Sequence, residues 1–528
     1  MVSFLHQLIE HSAKDKPSNI ALQSKAESLT YEELNQQVQL TANGLASLGL
    51  NKGERVGIYL NKTVSAVATI FATSKAGGIF VPINPVLKAQ QVKHIIEDAS
   101  ISLLVTNHSR LNSLRSILPS TDSITHIVLV DDYKQPEIQG SIKVISWQEL
   151  IALPNSEPAI ASISENEATA ILYTSGSTGK PKGIVLSHQN MVLGAASVSS
   201  YLENSEQDAI LALLPLSFDY GLSQLTTAFY VGARCVLFDY FLPKDVLKAI
   251  STYGITGLAA VPPLWVKLAQ LTWPRHTAEQ LRYITNSGGA LATSTLNQLQ
   301  QCLPQVEPYL MYGLTEAFRS TYLDPKKINL RPTSIGMAIP NVEILVIRED
   351  GSECGAYEHG ELVHLGPLVS LGYWNSPSLT AKRFKPAPFN KPASATSNIA
   401  VWSGDIVYKD DEGYLYFVNR ADDMIKSSGY RISPTEIEEV LTQHPSVNQA
   451  VVIGVNDPSL GEAIIAYINC SLTLEHQAVS QDIKQHCASI LPNYMQPSKI
   501  IIENNMPISS NGKIDRMLLN KRYLRDYQ

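Results

Sequence analysis

Apolar positions in the first third of the chain alternate between helical and strand spacing. Leu34, Val38, Ala42, Leu45 and Leu48 recur every three or four residues, which places them on one helical face. Thr30 and Glu33 stand just ahead of that run. A Thr hydroxyl and a Glu carboxylate at this spacing satisfy each other's free backbone donors, and Gly49 is a suitable stop. Residues 55–60 read as a strand, 64–72 as an apolar helix and 79–83 as a second strand. The pattern recurs through residues 209–236 and 257–289. Such alternation predicts βα units around largely parallel sheets.

The pattern changes in the last hundred or so residues. Residues 385–398 (KPAPFNKPASATSN) read as an exposed loop. The apolar run GYLYFV then gives way to polar NRADD at 419–423. Ser433-Pro434-Thr435-Glu436 has the order of a helix start, with Ser as cap, Pro first and Glu third. Residues 448–455 follow as a strand. The expected fold is α/β: a large N-terminal region of stacked βα sheets, residues 1–421, and a small α+β C-terminal domain, residues 422–528.

Composition narrows the function. A chain of 528 residues exceeds what one core supports, since single cores stop growing near roughly 250–300 residues. With 44% hydrophobic residues it is not mainly disordered. A net charge of −7 argues against nucleic acid as a partner. No apolar run reaches the roughly 18–20 residues of a membrane span. The N-terminus, with Glu10, Lys14 and Asp15, does not read as a secretory signal. Five widely spaced cysteines without a C-x-x-C pair fit a reducing compartment. A cytoplasmic enzyme is the expectation.

The strongest local signal is Thr174-Ser175-Gly176-Ser177-Thr178-Gly179-Lys180-Pro181-Lys182-Gly183, between strand-like residues 168–173 and 184–186. Glycines let a backbone approach a polyphosphate closely, hydroxyls and N–H groups bind its oxygens, and lysines offset its charge. Pro181 after Lys180 and the glycine spacing exclude the Walker pattern, so γ-phosphate transfer does not follow.

This loop resembles the signature of the AMP-forming, adenylate-forming ligases: acyl-CoA synthetases, nonribosomal-peptide adenylation domains and luciferase-like enzymes. NSGGA at 286–290, YGLTEA at 312–317, WSGD at 402–405, RADDMIKSSGYR at 420–431 and NGKIDR at 511–516 match in family order. The chain also resembles stand-alone ligases of exosortase-linked gene sets. The resemblance implies activation of a carboxylic acid by ATP to an acyl-adenylate, then transfer to a thiol of CoA or of a carrier protein's phosphopantetheine.

It further implies residue roles. Thr174 to Lys180 would hold the outer phosphates, and Thr315 and Glu316 would sit beside the α-phosphate, with Glu316 carrying Mg²⁺. Tyr312 would stack on adenine, over a flat slot left by Gly288, Gly289 and Ala290. Asp405 would take the ribose hydroxyls and Arg420 would lie nearby. Lys513 would bridge the carboxylate and the α-phosphate, where one cation stabilises developing negative charge. Asp422 matches a hinge about which the small domain swings, bringing Gly429 and Arg431 to a pantetheine tunnel for the second step.

Phe218, Asp219, Tyr220, Ser287 and Gly313 fall where the family places the acid. Amino-acid-activating members carry an Asp at the position of Asp219, paired with the substrate ammonium. A buried carboxylate beside a bound cation is a sound basis for such selection. Leu314, where many peptide-synthetase domains have Pro, speaks against it. The alternatives at this stage are an amino acid, put first, a fatty or aryl acid, and, from a different class, a catalytically silent nucleotide-binding relative.

Overall fold

The computed structural model describes residues 2–131, 142–154, 163–174, 181–390, 398–420, 424–470, 476–503, 506–507 and 515–527. Two large sheets, of nine and seven strands, form the body of the N-terminal region. Most neighbours pair parallel, as Arg55–Tyr59 does with Ile79–Pro82. Antiparallel pairs occur toward the edges, as between Ala168–Thr174 and Lys182–Ser187. Helices Tyr31–Ser47 and Val64–Lys75 stand where the sequence calls for them. Tyr31–Ser47 begins at the expected reciprocal cap, with the Thr30 N–H donating to Glu33 Oε2 at 2.8 Å and the Glu33 N–H to Thr30 Oγ1 at 3.2 Å.

One continuous core joins the two sheets. It unites Leu22, Ala212 and Cys235 of the nine-stranded sheet with Val56, Leu103 and Val105 of the seven-stranded one. Helices Tyr31–Ser47, Val64–Lys75 and Asp219–Val231 contribute to it. Phe71 and Phe229 meet edge to face there at 5.4 Å, both fully buried. Each such side chain contributes about 1.5–3 kcal/mol by leaving water. Helix Asp219–Val231 is buried on nearly every side, which holds its first residue rigidly at the site described below.

A five-stranded antiparallel sheet follows, and one expectation is corrected there. Residues 385 and 386, read as loop, belong to the strand Phe384–Pro386, which pairs with Ile399–Lys409 at the sheet edge. Phe384 is buried and anchors it, and an edge strand tolerates the missing donor of Pro386. Residues 387–390 follow that strand, and 391–397 lie outside the described residues.

From residue 425 onward the chain builds its own five-stranded sheet. Its strands Val447–Asp457 and Gly461–Cys470 send alternate side chains to opposite faces, as a pleated strand must. Val452 and Ala466 pack under helices Pro434–Thr442 and His476–Ile490, while Ile453 and Tyr467 meet Leu519 of helix Arg516–Tyr527. Pro434 opens its helix as expected, but the Ser433 hydroxyl makes no cap bond. Glu436 does not turn back toward that cap; it bonds Gln91 of the N-terminal region instead. Among the described residues no helix is long and apolar enough to cross a membrane.

Candidate functional site

The strands bracketing the glycine-rich loop pair up to Thr174 and Lys182. Ser175, Gly176, Ser177, Thr178, Gly179 and Lys180 themselves lie outside the described residues. Just past the loop, Lys182 Nζ reaches Glu316 Oε1 at 3.2 Å and the Tyr373 hydroxyl at 2.8 Å. That hydroxyl donates in turn to Glu316 Oε1 at 2.7 Å. Burial alone would raise the Glu316 carboxyl. The charges of Lys182 and Arg431 and the Tyr373 hydroxyl outweigh it and hold the group well below the usual carboxylate range. Burial lowers Lys182, against the opposing pull of Glu316. Tyr373 was not legible in the sequence.

A tight turn aims Glu316. Strand Glu307–Tyr312 ends at Gly313, and the short 3-10 segment Thr315–Ala317 follows. Phe318 then adopts φ 54 and ψ −60, and the Arg319 N–H closes on the Ala317 carbonyl at 2.6 Å. This is a γ-turn, a strained conformation for a residue with a side chain. Burial holds it: the Phe318 ring fills a slot over Gly194, where an added Cβ would come within 2.4 Å of the ring. Glu316 precedes the turn and Arg319 leaves it.

Arg319 was likewise not singled out from the sequence. Its Nη1 lies 3.2 Å from Asp219 Oδ2, and its guanidinium sits over the Tyr220 ring at 4.8 Å. Both partners of the ion pair are below 5% exposed. Burial raises the Asp219 carboxyl and Arg319 opposes that. The cation beside Asp219 in this structure is therefore one that the protein supplies, where the resemblance implied a substrate ammonium. The one hint in the sequence was a charge inside the otherwise uncharged run AFRSTYL. Phe218 takes the helix cap position, and Gly221 is required because a Cβ there would fall 2.0 Å from the Pro215 carbonyl oxygen. We expect Asp219→Asn, which keeps the shape and removes the charge, to destabilise the protein by about 1–3 kcal/mol. Urea denaturation would measure it; an unchanged midpoint would show that the pair is not formed.

One cleft collects most of the remaining expected residues. Thr174, Phe218, Asp219, Ser287, Gly288 and Gly313 line it, with Thr315 and Glu316 at one side. Tyr220 stands behind, its hydroxyl 2.5 Å from Thr285 Oγ1. Glycine matters at residue 288, with φ +79 and Val261 at 3.2 Å from an added Cβ. At Gly289 a Cβ would meet Pro262 at 3.0 Å, whereas Ala290 is exposed. Outside the cleft's lining, the Tyr312 hydroxyl donates to Asp405 Oδ2 at 2.6 Å. Arg420 is the cross-strand neighbour of Asp405, and its side chain lies outside the described ones.

The C-terminal sheet closes the cleft. Its hairpin Ile425–Ser427 and Tyr430–Ile432 brings Gly429 and Arg431 into the lining, and Tyr430 stacks on Tyr494 at 3.8 Å. Gly429 also borders a second cavity of about 390 Å³, together with Lys62, Asn84, Phe218 and Ser428. It stands where the two spaces meet. Asp422 and Lys513 lie outside the described residues.

Glu436 was missed as well. It lines the cleft, accepts from Gln91 Nε2 at 3.1 Å, and is 8% exposed. Burial raises its carboxyl to about 7, with Gln91 opposing and Glu439 adding. A folded-state value above the unfolded one means the native state binds the extra proton, so stability falls as pH rises from about 4.5 toward 7. Glu436→Gln should remove that loss. The variant is expected to be more stable than the parent by about 1–3 kcal/mol at pH 8, with the gap closing below about pH 4.5. Thermal denaturation across pH checks it; a gap that does not vary with pH would count against it.

Residues 9–374 match the family described as AMP-binding enzyme, and residues 436–513 match the AMP-binding enzyme C-terminal domain. The chain belongs to the AMP-binding enzyme family. It is 29% identical over 541 residues to malpinin synthetase of Mortierella alpina, which covers 98% of this chain and 7% of that protein. To tyrocidine synthase 1 of Brevibacillus parabrevis it is 28% identical over 530 residues, 98% of this chain and 44% of that one. The chain thus spans less than half the length of these curated relatives. The structure of o-succinylbenzoate CoA synthetase from Bacillus subtilis, bound to a product analogue, matches with a TM-score of 0.82 at 27% identity, covering 98% of each chain.

Proposed function

We propose that this chain is an AMP-forming acid–thiol ligase. The observation that carries the reading is the shared cleft: an ionised Glu316 with Lys182 beside it, an acid-sized recess at Phe218 and Asp219, and Gly429 at the junction with a second cavity. In the first step a carboxylate oxygen attacks the α-phosphorus of ATP, and pyrophosphate leaves. In the second a thiol attacks the acyl carbon, and AMP leaves with the bonding electrons.

Thr315 and Glu316 would flank the α-phosphate, with Thr174 to Lys180 on the outer phosphates. Tyr312, Gly288, Gly289 and Ala290 would receive adenine, and Asp405 and Arg420 the ribose. An ionised, buried carboxylate suits a hard cation that takes one protein oxygen and several phosphate oxygens. Mg²⁺ held by Glu316 would neutralise phosphate charge. Lys513 would bridge the two reactants in adenylation, the domain of residues 422–528 turning at Asp422 between the steps. The hairpin seen in the cleft suits the second step, with Gly429 and Arg431 at a pantetheine path through the second cavity. The acceptor would be CoA or a carrier protein, in a cytoplasmic setting. Of the acids weighed from sequence, the Asp219–Arg319 pair favours one without an ammonium at Asp219.

The test is product analysis with ATP, Mg²⁺ and a panel of acids. AMP and pyrophosphate are expected; ADP and phosphate as products would overturn the reading.

A further inference from the structure

Beside the acid recess, two buried side chains hold polar atoms without a hydrogen-bond partner among the described residues. Arg319 is 2% exposed, and its Nη1 serves Asp219 at 3.2 Å and the Phe318 carbonyl at 3.1 Å. Its Nε and Nη2 are buried and find no hydrogen-bond partner among the described residues. Gln224, on helix Asp219–Val231 and 4% exposed, has neither its amide nitrogen nor its oxygen paired among them. Both side chains line one void of about 30 Å³. Other polar groups there are engaged: the Tyr220 hydroxyl with Thr285 at 2.5 Å, and Ser223 with Thr227 at 3.5 Å. The unmet capacity therefore belongs to Arg319 and Gln224.

Buried donors left unmade are expensive, and folded proteins rarely keep several side by side. The void has room for about two water-sized groups. That is space for an oxygen function on a carbon. Arg319 also lines the main cleft, so this one side chain borders both the cleft and the void.

Charge decides what kind of oxygen fits. Asp219 already cancels the Arg319 charge, and Tyr220, Phe318 and Met311 surround the pair with apolar surface. A tail ammonium would meet the guanidinium as a like charge. A tail carboxylate would add an uncompensated buried anion. A neutral oxygen accepts the free N–H groups of Arg319 and the Gln224 amide without altering the balance.

We propose that Arg319 and Gln224 form a subsite that reads an uncharged oxygen (hydroxyl, carbonyl or ether) on the tail of the activated acid. This rests on the ligase reading above and names its substrate class. The Gln224 carbonyl oxygen can also accept from a hydroxyl, which ranks a hydroxy acid first within that class.

The experiment is ATP–pyrophosphate exchange on acids of matched length, ending in a hydroxyl, a ketone, a methyl, an ammonium or a carboxylate. Wild type should prefer the hydroxy or keto acid over the methyl acid by about 10⁴ in kcat/KM, the range in which a polar site rejects a substrate lacking its partner. Gln224→Leu and Arg319→Met should each shrink that ratio to about 10² or less, the scale of a simple apolar difference, with the KM for ATP unchanged. Gln224→Leu leaves the ion pair intact and carries the test if Arg319→Met does not fold. Preference for the methyl, ammonium or carboxylate acid overturns the subsite and leaves the ligase standing. So does an unaltered ratio in Gln224→Leu. Absence of exchange with every acid overturns the ligase reading, and the subsite with it.

Discussion

Glu316→Ala is expected to slow pyrophosphate release by about 10²–10³, the scale of losing one charge-positioning group at a phosphoryl centre. The same change should destabilise the protein. Lys182 is 13% exposed at its side chain and has Glu316 as its anion. Removing one member of such a buried pair typically costs about 3–5 kcal/mol, because the other charge stays behind without compensation. Arg431 adds a second positive charge facing the same carboxylate. Glu316→Gln should be milder in stability, since an amide oxygen can still accept from Tyr373 and Lys182. In activity it should resemble the alanine variant, since the charge is gone.

The pH dependence has a definite sign. The Glu316 carboxyl is held below its unfolded value, so its contribution is present above the ordinary glutamate range and is lost as pH falls through the folded value. Exchange assays and urea denaturation on both variants, with an acid-limb comparison, measure all of this. Full exchange activity in Glu316→Ala would sink the assignment of the phosphate side.

Gly429→Leu should separate the two half-reactions. Gly429 has φ +82, a conformation that side chains resist, and a Cβ there would lie 2.8 Å from Val261 Cγ1. The backbone strain stays with the hairpin wherever it sits, but overpacking against Val261 costs about 1–3 kcal/mol, so docking of the hairpin should weaken by roughly one to two orders of magnitude. Thioester formation from supplied acyl-adenylate should fall accordingly. Pyrophosphate release, which in the proposed cycle uses Lys513 and not this hairpin, should stay within about threefold of the parent, well inside the tenfold that 1.4 kcal/mol would produce. Gly429→Ala should act in the same direction, since its Cβ meets the same contact. Equal damage to both half-reactions would contradict a cycle in which different faces of the C-terminal region serve the two steps.

Much of the molecule follows from rules that act over a few residues. The Thr30 and Glu33 cap, the parallel strands at Arg55–Tyr59 and Ile79–Pro82 and the Pro434 helix start each depend on near neighbours in the chain. So does the grouping of Gly288, Gly313, Thr315 and Glu316 at strand ends, because glycines and short polar residues after apolar runs turn the chain there. The family was legible for the same reason: its signatures are local.

Charge pairing is not local, and it decided what the site offers. Asp219 and its partner Arg319 stand 100 residues apart, and Lys182 and Glu316 134. A sequence shows that Asp219 is acidic and surrounded by apolar residues, but not which cation the fold delivers to it. Only the packing of helix Asp219–Val231 against the turn at Phe318 does that. The physical cause is the cost of a buried charge. It forces each ionised side chain to find a partner wherever the folded chain brings one, and that distance has no counterpart in sequence spacing.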